Sequence, residues 1–544
     1  MTTKIAVARR VAAVLLLLAL GRKLEKRLLM RPLLSTSIIG LFFYYLGAPR
    51  PKKPLGSNAI IAPGRLPWLG HIVRYESIRD HPVEGILEWS RETNFQTLIN
   101  TLPFGVTEII VHDERDREYI LKSNFKNFNK NYDFQFGFDR VFSDLLGQGI
   151  FNVDGEKWVV HRKIASNLFT GKNINVIMSK TFIEHGRLFE KALSKFAKEK
   201  KSFDIQLLFQ ALVFDAFCKI AFGASPQSFN YAVKGEKEPF QASFDAAQQI
   251  ASDRAFDLPV IRDFKIQFSI GAEAEMVKHL AVVNAYIGNI IDSRKKEIDS
   301  VESQAETQKD ILGLYIYHAK RLGRSDLLKA SYLRDVIMNF MIAGRDTTSY
   351  VLTNIISLVS ENRDFEEKLL QEIFNKMKGG VDSFVKNEIK TFALADATFF
   401  ESLRMYPSVS NDFRISSKDD VLPSGLKLES GTVVTLPNHS IGRNPKYWDN
   451  PDKFNPERWL CEDGNNGTVC RRLDEYRFPF FWGGYRVCLG KDMARQEAKI
   501  IMCMLLDSFK FTFAKPREEV FVNGPVMFYS NGVHFYAENR NHSC

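Results

Sequence analysis

From about Ile86 onward, apolar and polar positions recur mostly at intervals of three and four, the period of an amphipathic helix. Lys180–Lys200 and Met276–Glu297 show the pattern most plainly and contain no proline, so both are predicted helices. Tyr332–Val359 is apolar over most of its length with its polar residues grouped, which predicts a buried helix. Alternation of period two is scarce. "TLINTLPFGVTEIIVHD" is one strand signal, and "VFVNGPVMFYSNGVHFYAE" is another, with Asn531-Gly532 as its turn. Pro226–Pro239 and Asp299–Lys309 are charged and loop-like, and no internal repeat is found. The body of the chain therefore reads as mainly α with minor β, a single large domain from about residue 71 to residue 544.

The N-terminus breaks this pattern. Val11–Leu20 and Leu33–Ala48 are uncharged and apolar, although neither alone reaches the ~20 residues that span a bilayer. Tyr44 and Tyr45 suit a membrane–water interface. Basic residues lie between the two segments and again in the proline-rich "PRPKKP". Residues 1–48 are thus expected to be a membrane anchor, and 49–70 a Pro/Gly/basic hinge containing "APGRLPWLGH". The expected location is the endoplasmic reticulum membrane with the body in the cytosol. No acid precedes Glu25, so a mitochondrial presequence is the alternative.

Charge and cysteine usage narrow the classes. The chain has 74 basic and 64 acidic side chains, a net charge of +10, which suits a membrane surface or an acidic protein partner. No dense Lys/Arg block with interleaved aromatics points to nucleic acid. Six cysteines in 544 residues, with no CxxC pair, exclude a disulfide scaffold and zinc-type ligand spacing. Asn466-Gly467-Thr468 is a glycosylation sequon, read as unused if that part is cytosolic.

One cysteine stands out. For a cysteine taken at random, a buried structural thiol is the better reading. Cys488, however, follows Gly483 and Gly484 and precedes Gly490, positions where backbone can approach something closely. The helix-forming run "KDMARQEAKIIMCMLL" comes next, so Cys488 lies just before a helix N-terminus, whose partial positive charge favours thiolate. A lone thiolate with no second ligand nearby points to haem iron, because the porphyrin supplies four ligands itself.

Phe481-x-x-Gly484-x-Arg486-x-Cys488-x-Gly490 resembles the cysteine loop of the cytochrome P450 haem-thiolate monooxygenases. Three further motifs follow the family's order and spacing, and the resemblance covers about Pro63 to the C-terminus. The first is "AGRDTT", Ala343–Thr348. A threonine there can bond back to its own helix. The resemblance implies instead that Thr347 and Asp346 deliver protons to dioxygen as alcohol and acid. It also implies that Gly344 leaves room for dioxygen and local helix widening. The second is Glu401-x-x-Arg404, three residues apart on one helix face. A surface pair of this kind is worth well under ~1 kcal/mol. By resemblance it is buried, joined by Arg458, and holds the cysteine loop in place. The third is Trp158-x-x-x-Arg162, one helical turn apart. By resemblance both reach a haem propionate, as do Arg486 and Arg414, and Phe481 contacts the haem. His161 reads as a bystander. Tyr485 departs from the family's usual proline, which should alter loop stiffness but not ligation.

The implied cofactor is haem b. The related branch that bonds haem covalently uses a glutamate where this chain has Ala343, so non-covalent haem with Cys488 as axial ligand is expected. The implied reaction inserts one oxygen atom from O2 into a C–H bond of a lipophilic substrate. Electrons would come from an NADPH-cytochrome P450 reductase. "LLGQGIFNVDGEKWVVHRK", "DVIMNFMIAGRDTTS" and "CLGKDMARQEAKI" look like the fatty-acid ω-hydroxylases, which implies terminal or near-terminal hydroxylation of long-chain fatty acids. Phe134, Phe136, Phe138 and Phe142 lie where the family builds its substrate mouth, and Phe340 lies one turn before Ala343. Core packing explains such a stripe equally well. An apolar channel lined by phenylalanine suits an alkyl chain, but no carboxylate anchor is evident in the sequence. A sterol, terpenoid or xenobiotic substrate is the main alternative. A haem-thiolate isomerase or dehydratase is less consistent with the Asp346–Thr347 pair.

Overall fold

A computed structural model describes residues 58–540, except 104–105, 132–137, 172, 258, 301–309, 379, 382–390, 463–467, 472–473 and 523. The expected anchor and most of the hinge lie outside the described residues, as do Phe134, Phe136 and most of the sequon. The described chain is predominantly helical with small sheets, as the periodicity predicts. Its contacts group into two compact units.

The first unit comprises the residues up to Arg140, Asn411–Ser440 and Gly483–Tyr485. Its centre is a six-stranded sheet: β1 (Ile60–Ile61), β2 (Leu98–Leu102), β3 (Val106–Ile110), β4 (Phe128–Asn129), β5 (Asp412–Ser416) and β6 (Val433–Leu436), in spatial order 1-2-3-6-5-4. The first strand signal resolves into two strands, β2 and β3, which pair antiparallel with Leu98 opposite Ile110. Both residues are fully buried and pack with Ile78 and Trp89.

The second unit comprises Val141–Ser410, Ile441–Trp482 and the chain from Arg486. Its core is built around α2 (Ile205–Phe222) and α4 (Ala330–Glu361), which follow α1 (Gly155–Ser166) and α3 (Pro239–Asp253) and lie against one another. α2 is apolar all round and almost wholly buried, so it is a core helix although it is long and apolar enough to cross a membrane. Asp204 caps its start and Gly223, with φ +68°, ends it. α4 extends the predicted Tyr332–Val359 by two residues at each end. Two further helices carry the rest of the site, α5 (Ala393–Met405) and α6 (Lys491–Ser508). The predicted helices at Lys180–Lys200 and Met276–Glu297 appear as Ser179–Glu199 and Ala272–Asp299.

The C-terminal strand signal is realised only in part. His534–Asn539 is a strand, but it pairs with Phe509–Phe513 and with Phe203–Asp204. The residues before the Asn531-Gly532 turn contribute a single bridge, Phe521 to Tyr529.

Candidate active site

The cysteine loop is built from tight turns. After the turn Pro479–Phe481 the backbone takes positive φ at Trp482 (+58°) and Gly484 (+66°). A Cβ on Gly484 would lie 2.1 Å from the Leu121 carbonyl oxygen, so glycine is required there. Tyr485 occupies the next turn, exposed, with its ring 5.3 Å from that of Phe125. The Cys488 N–H donates to the Phe481 carbonyl at 2.8 Å, and Gly490 precedes the first turn of α6. The short run from Cys488 to the helix start is therefore as predicted. Gly490 differs from expectation. A Cβ there would meet Phe169 at 3.8 Å and Cys488 Sγ at 4.0 Å, ordinary contact distances, so the protein's own packing does not demand glycine.

Cys488 is exposed. Yet burial among surrounding protein raises its pKa, outweighing the Gly490 backbone hydrogen bond and the charges of Arg162 and Lys491. The helix-terminus effect expected to favour thiolate is thus outweighed by desolvation in the protein alone; a bound iron would favour the thiolate.

α1 clasps the loop from one side. Arg162 donates to the Val487 carbonyl. Arg486 donates to Asp154 at 2.5 Å and to the Val153 carbonyl at 2.9 Å, and its guanidinium lies 4.8 Å from the Trp158 ring centroid. Trp158, Arg162 and Arg486 are therefore grouped around the residues that flank the cysteine loop, with both arginines bonded to protein acceptors. Arg414 belongs to the first unit, where it is buried on β5 and pairs with Asp412 at 2.5 Å. Lys130 lies 3.3 Å from the same carboxylate, and the two cations hold Asp412 down to about 2 despite burial. His161 is engaged elsewhere, with Tyr315 Oη and the Gln148 carbonyl each 2.9 Å from its ring nitrogens, and burial lowers its pKa to about 4.

The loop rests on a buried ionic hub. Glu401 and Arg404 on α5 are fully buried and form a bidentate pair at 2.8 Å. Arg458 at 3.2 Å, Trp459 Nε1 at 2.9 Å and the Asn455 N–H at 2.8 Å complete the shell of Glu401. Arg404 also donates to the carbonyls of Gly442, Pro451 and Lys453. From the hub, aromatic contacts lead to the loop: Trp459 to Phe478 (4.5 Å), Phe478 to Phe480 (4.2 Å) and Phe399 to Phe481 (6.1 Å).

On α4, Thr347 is partly buried and donates to the Ala343 carbonyl at 2.7 Å, the back-bond open to any helical threonine. Asp346 is buried. It accepts from Gln248 Nε2 at 3.0 Å and lies 3.3 Å from Arg345, which itself pairs with Asp245 at 2.6 Å. Burial raises the Asp346 pKa to about 6 even against the Arg345 charge. Gly344 does not make room for dioxygen. A Cβ on it would lie 2.2 Å from the Phe217 ring, so its role is the close approach of α2, and α4 is regular α-helix at this point. Phe340 is buried on α4. Phe138 lies in the first unit against Phe413 (5.8 Å), with Lys130 4.5 Å from its ring centroid. Phe142 is buried in the second unit. Sequence reasoning missed Gln248, Asp245 and Arg345. Arg345 carried a signal, because a charge inside a buried helix needs a partner; the other two, on α3, carried none.

These residues fit a planar haem. The thiol is single and exposed, and two arginines beside its loop suit anionic substituents. Among the described residues, no group of three or more His, Cys, Asp or Glu converges as a multi-ligand metal site.

The cytochrome P450 family model matches residues 62–532. Cytochrome P450 704C1 of Pinus taeda is 33% identical over 83% of this chain and 86% of its own length. Cytochrome P450 94A1 of Vicia sativa is 32% identical over 84% and 85%, and cytochrome P450 94B1 of Arabidopsis thaliana 31% over 84% and 86%. The crystal structure of the cytochrome P450DA heme domain superposes with a TM-score of 0.72 at 19% identity, covering 89% of this chain and 98% of that one.

Proposed function

We propose, from the premise that this chain belongs to the cytochrome P450 family, that it hydroxylates long-chain fatty acids at or near the chain end. Membership makes it a haem b monooxygenase that uses O2, a redox partner and a lipophilic substrate, with a cysteine thiolate as axial ligand. The observation that carries the chemistry is Cys488, held by its backbone bond to the Phe481 carbonyl and exposed in a glycine-flanked loop before α6.

When bound, the haem supplies dioxygen activation and insertion of one oxygen atom into a C–H bond, with thiolate donation favouring O–O cleavage. Cys488 Sγ would hold the iron, while Trp158, Arg162 and Arg486 would hold the propionates. The Glu401–Arg404–Arg458 hub keeps the loop rigid under its ligand. Asp346, neutral up to about pH 6, stores a proton. Turning its carboxyl away from Gln248 Nε2 brings that proton toward the Thr347 hydroxyl, which breaks its bond to Ala343 to pass it on.

The fatty-acid reading is supported by the likeness of three long stretches to fatty-acid ω-hydroxylases and by the abundance of phenylalanine, 44 residues in all. The apolar, basic N-terminus supports an endoplasmic reticulum anchor and a membrane-bound NADPH reductase as partner. The test incubates membranes holding this protein and a reductase with NADPH and fatty acids of graded length, with products identified by mass spectrometry. Terminal or near-terminal hydroxyl, lost in Cys488→Ala, is expected. No product from a sample that retains thiolate-bound haem would refute the fatty-acid substrate and favour a sterol, terpenoid or xenobiotic.

A further inference from the structure

Asp346 holds a proton although a cation lies beside it. Arg345, 1% exposed, places Nη1 3.3 Å from Asp346 Oδ1. A guanidinium that close ordinarily takes the carboxylate as its counter-ion and keeps it ionised. The local geometry prevents that. Asp346 Oδ1 has no hydrogen-bond partner among the described residues, and Oδ2 accepts from Gln248 rather than from the arginine. Arg345 Nη1 donates instead to Asp245 Oδ1 at 2.6 Å. Asp245 Oδ2 accepts from Lys237 Nζ at the surface, at 2.7 Å. Asp245 stands on α3, which aromatic contacts hold in place: Phe240 lies 5.5 Å from Phe214 and 4.4 Å from Tyr286. The neighbouring Phe244 ring centroid lies 5.8 Å from the Arg345 guanidinium.

One arginine thus sits between two carboxyls in different states. Burial would raise the Asp245 pKa, but the Arg345 and Lys237 charges hold it below the usual carboxylate value. Asp346, which Arg345 approaches without bonding, is raised by burial. Two acids pushed apart in this way take different roles. The other groups facing them carry no charge: Gln248 on α3 is neutral, and burial pushes the thiol of Cys218 on α2 well up. We propose that Asp245 is a positioning residue for proton delivery: as counter-ion of Arg345 it keeps that guanidinium off Asp346, whose carboxyl stays free to carry a proton to Thr347. This rests on the reading above of Asp346 and Thr347 as acid and alcohol. Without the Asp245 charge, Asp346 is the carboxylate left within reach of Arg345 among the described residues. Ion pairing then holds Asp346 ionised, with no proton to give. Lys237 bonds the far oxygen of Asp245, so its loss leaves Arg345 paired.

The test uses the full-length haem-bound protein with its reductase. The infrared C=O stretch of the protonated Asp346 carboxyl is identified by its loss in Asp346→Asn and followed from about pH 3 to about pH 8. The wild-type band is expected to titrate at about 6. Asp245→Asn should lower that midpoint by about 1–3, the effect of an opposite charge moving into contact. It should also slow NADPH consumption with dodecanoic acid at about pH 7 by at least about tenfold and enlarge the solvent deuterium isotope effect on that rate. Asp245→Asn/Arg345→Gln removes the freed cation as well, so it should return the midpoint to the wild-type value or above and recover most of the rate. A merely structural Asp245 gives no such rescue. Lys237→Met should move the midpoint by less than about 0.5. An Asp245→Asn midpoint within about 0.5 of wild type, or a double variant that stays as low as the single, overturns the proposal. If Asp245→Asn does not accumulate with haem, Asp245→Ser, uncharged but still able to accept from Arg345, takes its place under the same expectations. An unmoved midpoint, where Asp346→Asn loses turnover, refutes the role of Asp245 alone. An Asp346→Asn variant with the wild-type rate and isotope effect refutes Asp346 as the proton carrier and the proposal together.

Discussion

Glu401→Ala tests the hub beneath the cysteine loop. The glutamate accepts from Arg404 twice and from Arg458, Trp459 and the Asn455 backbone once each. Glu401 and Arg404 are 0% exposed at the side chain, so removing the carboxylate leaves a cation in the protein interior. Breaking a buried pair in this way costs about 3–5 kcal/mol. The carbonyls of Gly442, Pro451 and Lys453 still solvate Arg404 and hold that contribution near about 3 kcal/mol, while the indole and amide left without an acceptor add about 1 kcal/mol each. The expected total is about 5 kcal/mol. The assay is urea unfolding of the haem-bound protein followed by circular dichroism, with the reduced carbon-monoxide spectrum reporting thiolate ligation. The double variant Glu401→Ala/Arg404→Ala should lose less than the sum of the singles by about 1–3 kcal/mol, because it removes the stranded charge. A single variant within about 1 kcal/mol of wild type, or singles that simply add, would refute the hub.

Other outcomes follow from the same geometry. Gly344→Ala forces a Cβ to 2.2 Å from the buried Phe217 ring; the overpacking of about 1–3 kcal/mol exceeds the ~1 kcal/mol of helix propensity gained, so the urea midpoint should fall, and Phe217→Leu should partly restore it. Gly490→Ala, with its nearest neighbours at 3.8 and 4.0 Å, should leave the midpoint unchanged within about 0.5 kcal/mol. Asp346 has a folded pKa raised to about 6, so the native state holds its proton where the unfolded chain has lost it; the stability contributed at low pH is lost as pH rises from about 4 to about 6, and Asp346→Asn should flatten that part of the stability–pH curve. His161, lowered to about 4, acts in the opposite direction: stability falls as pH drops from about 6.5 to about 4, and His161→Gln should remove that loss.

What was legible in the sequence was local. The cysteine loop could be read because its chemistry is contained within ten residues and followed by a helix. The buried α4 could be read to within two residues at each end because its apolar run is long. Glu401 and Arg404 were legible as neighbours on one helix face, but their burial came only from resemblance, since a surface pair has the same spacing. Gly344 shows the limit. A sequence reveals that a side chain is absent, not what fills the space, and here it is Phe217 on α2. Gln248 lies 98 residues from Asp346 and Asp245 lies 100 from Arg345, and nothing in their own neighbourhoods marks them as partners.

The most direct measurement is haem content and the reduced carbon-monoxide absorption spectrum of wild type and Cys488→Ala, purified side by side. The wild type should hold one haem per chain and show the band of thiolate-ligated iron, and the variant should lose that band while keeping its far-ultraviolet circular dichroism. The same thiolate band in Cys488→Ala would contradict the assignment of Cys488 as the iron's ligand.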